Sequence, residues 1–254
     1  MITKNELKYY NSLLQKKIRK TENKFLCEGK KVVLEGLQSG YKNEIIFITQ
    51  KFLEKEKVFV KNLRSFGARI EKLKSTDFKK VSVTKTPEGV AGVFYTKNKK
   101  IKMHDIDDPV IVYLEDISDP GNLGTIIRSC DWFGITNIFL SSESAELYNP
   151  KVIRASSGSI FHINVYENVL LDDIIGLKDA GYKFICSDLK GDNVFEFNKP
   201  PRLVLFLANE SSGPSEKLLS LSDYVISIPG KGKAESLNVS SASAILLSEL
   251  KKDN

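Results

Sequence analysis

The chain has 254 residues, 41% hydrophobic and 28% charged, which supplies one large or two modest cores and excludes a disordered polymer. No uncharged apolar run approaches the roughly 18–20 residues that cross a bilayer, and the start, MITKNELKYYNSLLQKK, lacks a signal peptide's apolar stretch, so membrane and secreted classes are set aside and a cytoplasmic protein is expected. The net charge of +6 conceals a division: residues 1–108 carry 25 Lys+Arg against 13 Asp+Glu, residues 109–254 carry 13 against 19.

A basic front half joined to an acidic back half suggests a polyanion-binding module beside a domain with another task. Its first segment, Lys4 to Arg19, repeats Leu7, Tyr10, Leu13, Leu14 and Ile18 at helical spacing with lysines between, which predicts one helix with a basic face. Phe25–Cys27 reads as a short strand, Lys30–Gln38 as a helix and Glu44–Thr49 as a strand. Asp77–Val83 and Val90–Tyr95 follow as further short elements, making residues 1–97 a small α/β module. Residues 98–108 switch from lysines to aspartates ahead of a proline, as a linker does.

From residue 109 to 254 the strands are apolar throughout: Val110–Leu114, Asn137–Leu140, Lys183–Ser187, Leu203–Leu207 and Val225–Ile228, with helical segments between them. That pattern predicts a mostly parallel sheet with helices on both faces. Neither GxGxxG nor GxxxxGK[ST] occurs, so a nucleotide-like cofactor needs another kind of site. Cys27, Cys130 and Cys186 form no CxxC pair, which fits a reducing compartment, and His104 and His162 have no ligand spacing, so no metal is expected.

Three segments concentrate polar chemistry at strand ends. In Leu114–Arg128, LEDISDPGNLGTIIR, a strand runs through a Pro-Gly turn and Asn122 stands where a helix needs its N-cap; Arg128 follows on that helix. In Leu205–Ser215, LFLANESSGPS, an apolar strand delivers Asn209 and Glu210, and Glu210 serves equally as a cap or a turn residue. In Val225–Leu247, VISIPGKGKAESLNVSSASAILL, a glycine- and lysine-containing loop leads to a helix of small residues opened by Ser236 or Asn238.

In this order and spacing the three segments resemble the signature motifs of the SpoU-type RNA ribose 2′-O-methyltransferases of the SPOUT superfamily. The likeness runs from Val110 to Leu250 and includes NPKVIRASSGSIFHI, Asn149 to Ile163. More weakly, FLCEGKKVVLEGL, Phe25 to Leu37, resembles that family's RNA substrate-binding module, a ribosomal-protein-like fold. The resemblance implies a deep trefoil knot in the back domain, a homodimer, and S-adenosylmethionine as cofactor. It places the backbone around Ala208, Asn209, Ile228, Leu237 and Asn238 at the cofactor, and Asn122, Arg128, Glu210, Ser236 and Asn238 at the reaction. Two positions depart from the motif: Ala208 and Ser211 stand where the family usually has glycine.

A guanidinium is a poor proton acceptor, so Arg128 is expected to stabilise a developing alkoxide or clamp a phosphate rather than act as base. The long basic module favours ribosomal RNA over transfer RNA as substrate. Two alternatives are a ribosome-assembly protein that keeps the fold without catalysis, and a base-methylating SPOUT enzyme acting on tRNA.

Overall fold

The computed structural model describes residues 2–97, 101 and 106–252. Most of the expected linker, and His104 within it, lies outside the described residues. In chain order the first elements are α1 (Lys4–Ser12), α2 (Lys16–Glu22), β1 (Lys24–Glu28), α3 (Lys30–Gln38), β2 (Asn43–Thr49), α4 (Gln50–Lys55), α5 (Lys57–Ser65), β3 (Ile70–Leu73), α6 (Ser75–Phe78) and β4 (Val90–Tyr95). They continue with β5 (Val110–Glu115), α7 (Pro120–Trp132), β6 (Asn137–Leu140), α8 (Pro150–Ser156), β7 (Asn164–Tyr166), α9 (Leu171–Ile174), β8 (Lys183–Asn193), β9 (Leu203–Ala208), α10 (Glu216–Leu221), β10 (Tyr224–Ser227) and α11 (Val239–Leu250). Two compact units result: residues 1–97 with 148–161, and residues 98–147 with 162–254.

The front unit is a four-stranded sheet in the order β1-β4-β2-β3, with β4 antiparallel to both neighbours and β2 parallel to β3. The single helix expected over Lys4 to Arg19 is two. The chain tightens after Ser12 through Leu13 N–H to Tyr10 C=O and Leu14 N–H to Asn11 C=O, which turns Leu13 fully inward. The carbonyls this break frees are taken up by Arg19, whose buried guanidinium donates to Leu13 C=O at 2.9 Å and Leu14 C=O at 2.7 Å. The stretch 148–161 joins this unit through its rings: Tyr148 stacks on Phe25 at 4.5 Å, and Phe161 packs edge-on against Tyr41 at 4.9 Å. Gly36 lets Phe161 in, since a Cβ there would stand 3.1 Å from its ring.

The back unit is a six-stranded sheet in the order β10-β8-β9-β5-β6-β7, and every neighbouring pair is parallel. Burial on both faces accounts for the unbroken apolar strands, and Tyr113, Phe184 and Phe206 interlock edge-to-face between them. The chain winds outward from β5 through β6 to β7, then returns on the other side of β5. The winding therefore reverses between β5 and β9, and at such a reversal an open α/β sheet leaves a crevice beyond its strand carboxyl ends. Strand β8 is longer than expected, because residues 187–191 bulge between the pairs Cys186↔Val225 and Asp192↔Ile226. Among the described residues no helix is long and apolar enough to cross a membrane.

Candidate active site

A cavity of about 450 Å³ opens at the carboxyl ends of β8, β9 and β10, within the range of small-molecule sites. Its walls come from Ser187–Leu189 of the β8 bulge, Leu207–Glu210 after β9, and Ile228–Gly232 with Ala234–Leu237 after β10. Leu189 and Leu237 leave 69% and 45% of their surface uncovered, so apolar side chains face this space while Asp188, Glu210, Lys231 and Glu235 supply its charge.

The segment after β5 is held in a fixed shape. Asp116 adopts a left-handed conformation, φ 56°, and exchanges hydrogen bonds with Ser141: its amide donates to Oγ at 2.8 Å and its carboxylate accepts from Oγ at 2.6 Å. Helix α7 then begins one turn earlier than expected, with Asp119 rather than Asn122 as its N-cap. Pro120 is the reason: its fixed φ and missing N–H suit the first helical position, and Asp119 accepts from the amide of Asn122 at 2.9 Å. The Asn122 side chain is thereby released from capping.

It is used instead to join the three segments. Asn122 Nδ2 donates to Glu210 Oε1 at 3.2 Å, and Asn238 Nδ2 donates to Asn122 Oδ1 at 3.1 Å. Glu210 does not cap the helix that follows it, a task Ser215 performs; its Oε1 accepts from Val239 N–H at 2.5 Å, the first amide of α11. Asn238 is the N-cap of α11, accepting from Ser240 N–H at 3.0 Å, so a carboxylate and an amide oxygen together satisfy the amides that begin this helix.

The turn carrying Glu210 is tied down on both sides. Asn209 Nδ2 donates to Asp116 C=O at 2.9 Å, and its Oδ1 accepts from Ser211 N–H at 2.9 Å and Ser211 Oγ at 2.8 Å. Glu115 accepts from Ser215 N–H at 2.9 Å and from Ser215 Oγ at 2.6 Å. Asn209 thus shapes the turn with its side chain, and the hydroxyl of Ser211 contributes to the same lock.

Of the residues singled out in the sequence, Ala208, Asn209, Glu210, Ile228, Ser236 and Leu237 line the cavity, and Asn122 and Asn238 are hydrogen-bonded beside it. Arg128 is exposed on α7, absent from the cavity wall, and makes no ion pair or hydrogen bond among the described residues. Glu115 and the β8 bulge were missed; the polar run SDLKGDN after an apolar strand was the available signal for the bulge. Cys130 is fully buried within α7, and burial, reinforced by Asp131, holds its thiol far above the usual range, which removes it as a nucleophile. His162 precedes β7 and its Nδ1 lies 2.9 Å from Asp131. Among the described residues no group of three or more His, Cys, Asp or Glu is arranged to hold a metal.

A parallel sheet with a cavity beyond the carboxyl ends of three neighbouring strands, bordered by a polar ring from three separate segments, defines an α/β enzyme site for a small-molecule ligand. The model of the SpoU rRNA methylase family matches residues 109–248, and that of an MRM3-like substrate binding domain matches residues 4–92. The chain belongs to the SpoU rRNA methylase family and is an RNA methyltransferase. The 23S rRNA (guanosine(2553)-2′-O)-methyltransferase RlmP of Bacillus subtilis is 31% identical over 247 residues, 97% of this chain and 96% of its own length. The 23S rRNA (uridine(2479)-2′-O)-methyltransferase of Streptomyces viridochromogenes is 32% identical over 170 residues, 64% of this chain and 59% of its own. A solved structure of an AdoMet-bound rRNA methyltransferase from Sinorhizobium meliloti is similar at a TM-score of 0.85 and 26% identity, covering 99% of this chain and 95% of that one.

Proposed function

We propose that this chain methylates a ribose 2′-hydroxyl of ribosomal RNA with S-adenosylmethionine, at the cavity beyond β8, β9 and β10. The observation that carries the reading is the hydrogen-bonded ring of Asn122, Glu210 and Asn238, which draws the three motif segments to one cavity of suitable size. The cavity suits the cofactor: Leu189, Ile228 and Leu237 offer apolar surface to a purine, and Asp188, Glu210 and Glu235 offer negative charge to a sulfonium and an ammonium. When bound, S-adenosylmethionine supplies the electrophilic methyl group.

The protein's part is to hold geometry and manage a proton. Ala208, Asn209, Ile228, Leu237 and Asn238 hold the cofactor, largely by backbone, and the extra methyl of Ala208 is accommodated because the turn is fixed by Asn209 rather than by a glycine. Asn122, Glu210, Ser236 and Asn238 orient the ribose hydroxyl. Arg128 stabilises the developing alkoxide or clamps the adjoining phosphate, and the proton leaves to Glu210, phosphate or water.

The working form is a cytoplasmic homodimer with a knotted back domain. Trp132, 85% exposed one turn beyond Arg128 on α7, gives that helix an uncovered apolar face that a second copy would bury. Residues 1–97 form the RNA-binding domain and residues 109–254 the methyltransferase domain. Labelled S-adenosylmethionine and total RNA from cells lacking the protein test the activity: a labelled 2′-O-methyl nucleoside in ribosomal RNA is expected. Label on a base, or in transfer RNA, selects the base-methylating alternative, and absence of both cofactor binding and label selects the assembly protein.

A further inference from the structure

We infer that Lys231 is the residue that holds the carboxylate at the amino-acid end of the cofactor. The inference rests on the reading of the cavity beyond β8, β9 and β10 as the S-adenosylmethionine site. Four charged side chains line that cavity, Asp188, Glu210, Lys231 and Glu235, and among the described residues Lys231 is the one cation in its wall. A site that had only to attract a sulfonium and an ammonium gains nothing from a lysine, which repels both. An anionic group on the same ligand accounts for it.

The existing bonds of the four charged groups decide how they divide. Glu210 is committed to the polar ring, where its Oε1 accepts from Asn122 Nδ2 at 3.2 Å and from Val239 N–H at 2.5 Å. Asp188 gives one oxygen to the amide of Lys190 at 2.9 Å, and its other oxygen has no donor among the described residues. Glu235 and Lys231 are exposed and make no ion pair or hydrogen bond among the described residues, with each other or with any neighbour. Two carboxylates and one ammonium therefore remain for the ligand. They complement the two cationic groups and one carboxylate of S-adenosylmethionine.

The local chain leaves Lys231 free to reach. It stands between Gly230 and Gly232, and a Cβ on either glycine would meet no atom within 4 Å, so the loop is open around its stem. Lys233, two residues on in the same exposed loop, is absent from the cavity wall. The two lysines thus differ in position and not in charge. A phosphate of RNA outside the cavity would be served by either, whereas a ligand inside it meets Lys231 alone.

The test is calorimetric titration of the full chain with two ligands, S-adenosylmethionine and its decarboxylated form, which keeps the adenosine, sulfonium and ammonium and lacks the carboxylate. Lys231→Gln is expected to weaken S-adenosylmethionine fivefold or more. The same variant is expected to bind the decarboxylated ligand within twofold of wild type or tighter, which also reports an intact cavity. Lys231→Arg is expected to stay within threefold for both ligands, and Lys233→Gln within twofold. The sign is diagnostic: S-adenosylmethionine carries a net positive charge, so removal of a lysine that acted only through its long-range field would tighten binding. Tighter or unchanged binding of S-adenosylmethionine, or an equal loss for the two ligands, overturns the assignment. A Lys231→Gln variant whose sole defect is a raised KM for RNA with a smaller salt slope also overturns it, and puts the ammonium on a phosphate instead. Wild-type protein that binds neither ligand overturns the reading of the cavity as the cofactor site.

Discussion

Asn238 donates its side-chain amide to Oδ1 of Asn122 at 3.1 Å, although 116 residues separate them. One asparagine caps α11 and the other sits in the first turn of α7, so the contact pins the starts of two helices to each other and to Glu210. Neither asparagine is needed there to begin α7, which Asp119 and Pro120 accomplish. The relationship is what a preorganised site requires and what helix formation alone does not.

Replacement of Asn122 by alanine separates these two roles. Both side-chain bonds of the ring are lost, while the backbone amide keeps its bond to Asp119. Stability in urea is expected to fall by no more than about 1 kcal/mol, the scale of a part-exposed hydrogen bond. Affinity for S-adenosylmethionine, read by calorimetry, is expected to weaken about tenfold, which corresponds to roughly 1.4 kcal/mol. Unaltered affinity would remove the ring from the binding machinery.

Arg128 makes a different prediction because it is exposed and makes no ion pair among the described residues. Arg128→Ala is expected to leave cofactor affinity and melting temperature unchanged while turnover drops by on the order of 10²–10³, as for other lost oxyanion donors. Arg128→Lys is expected to recover little, since a point charge lacks the planar fork. Turnover within threefold of wild type in the alanine variant sinks the assignment.

How far the sequence discloses this molecule depends on the range of the forces at each place. The parallel sheet was legible because burial on both faces leaves unbroken apolar strands such as Val110–Leu114 and Leu203–Leu207. The break in the first helix was not, because it depends on Arg19 reaching back to carbonyls that helical periodicity does not register. The three motif segments could be named but not joined, for the ring that connects them depends on distances between residues far apart in sequence. The β8 bulge was hidden because its five extra residues register only against β10, a pairing no local pattern encodes.

The bulge yields a stability prediction. A Cβ on Gly191 would lie 2.5 Å from both the backbone nitrogen and the carbonyl carbon of Ile226, atoms of a paired strand that cannot swing aside. Gly191→Ala is therefore expected to destabilise the protein by about 1–3 kcal/mol, the usual cost of overpacking. It should also weaken cofactor binding, since residues 187–189 of the same bulge line the cavity. Urea denaturation with an unshifted midpoint is the contrary result.

A pH effect is expected far from the site, at Glu44. Burial alone would raise this carboxyl, but hydrogen bonds from Lys24 and from Tyr10, the latter at 3.0 Å, together with the Lys24 charge, outweigh it and hold the group below its usual range. The same surroundings push the Tyr10 hydroxyl up to about 12, through burial first and Glu44 second. A carboxyl whose folded pKa lies below its unfolded value contributes stability that is fully present above the unfolded pKa, near 4.3, and is lost as pH falls through the folded one. Wild-type protein should therefore lose stability between about pH 5 and pH 3 more steeply than Glu44→Gln, which has no such proton to take up. Urea midpoints measured across that interval decide the matter: parallel curves for the two proteins mean that Lys24 and Tyr10 do not favour the ionised form of Glu44.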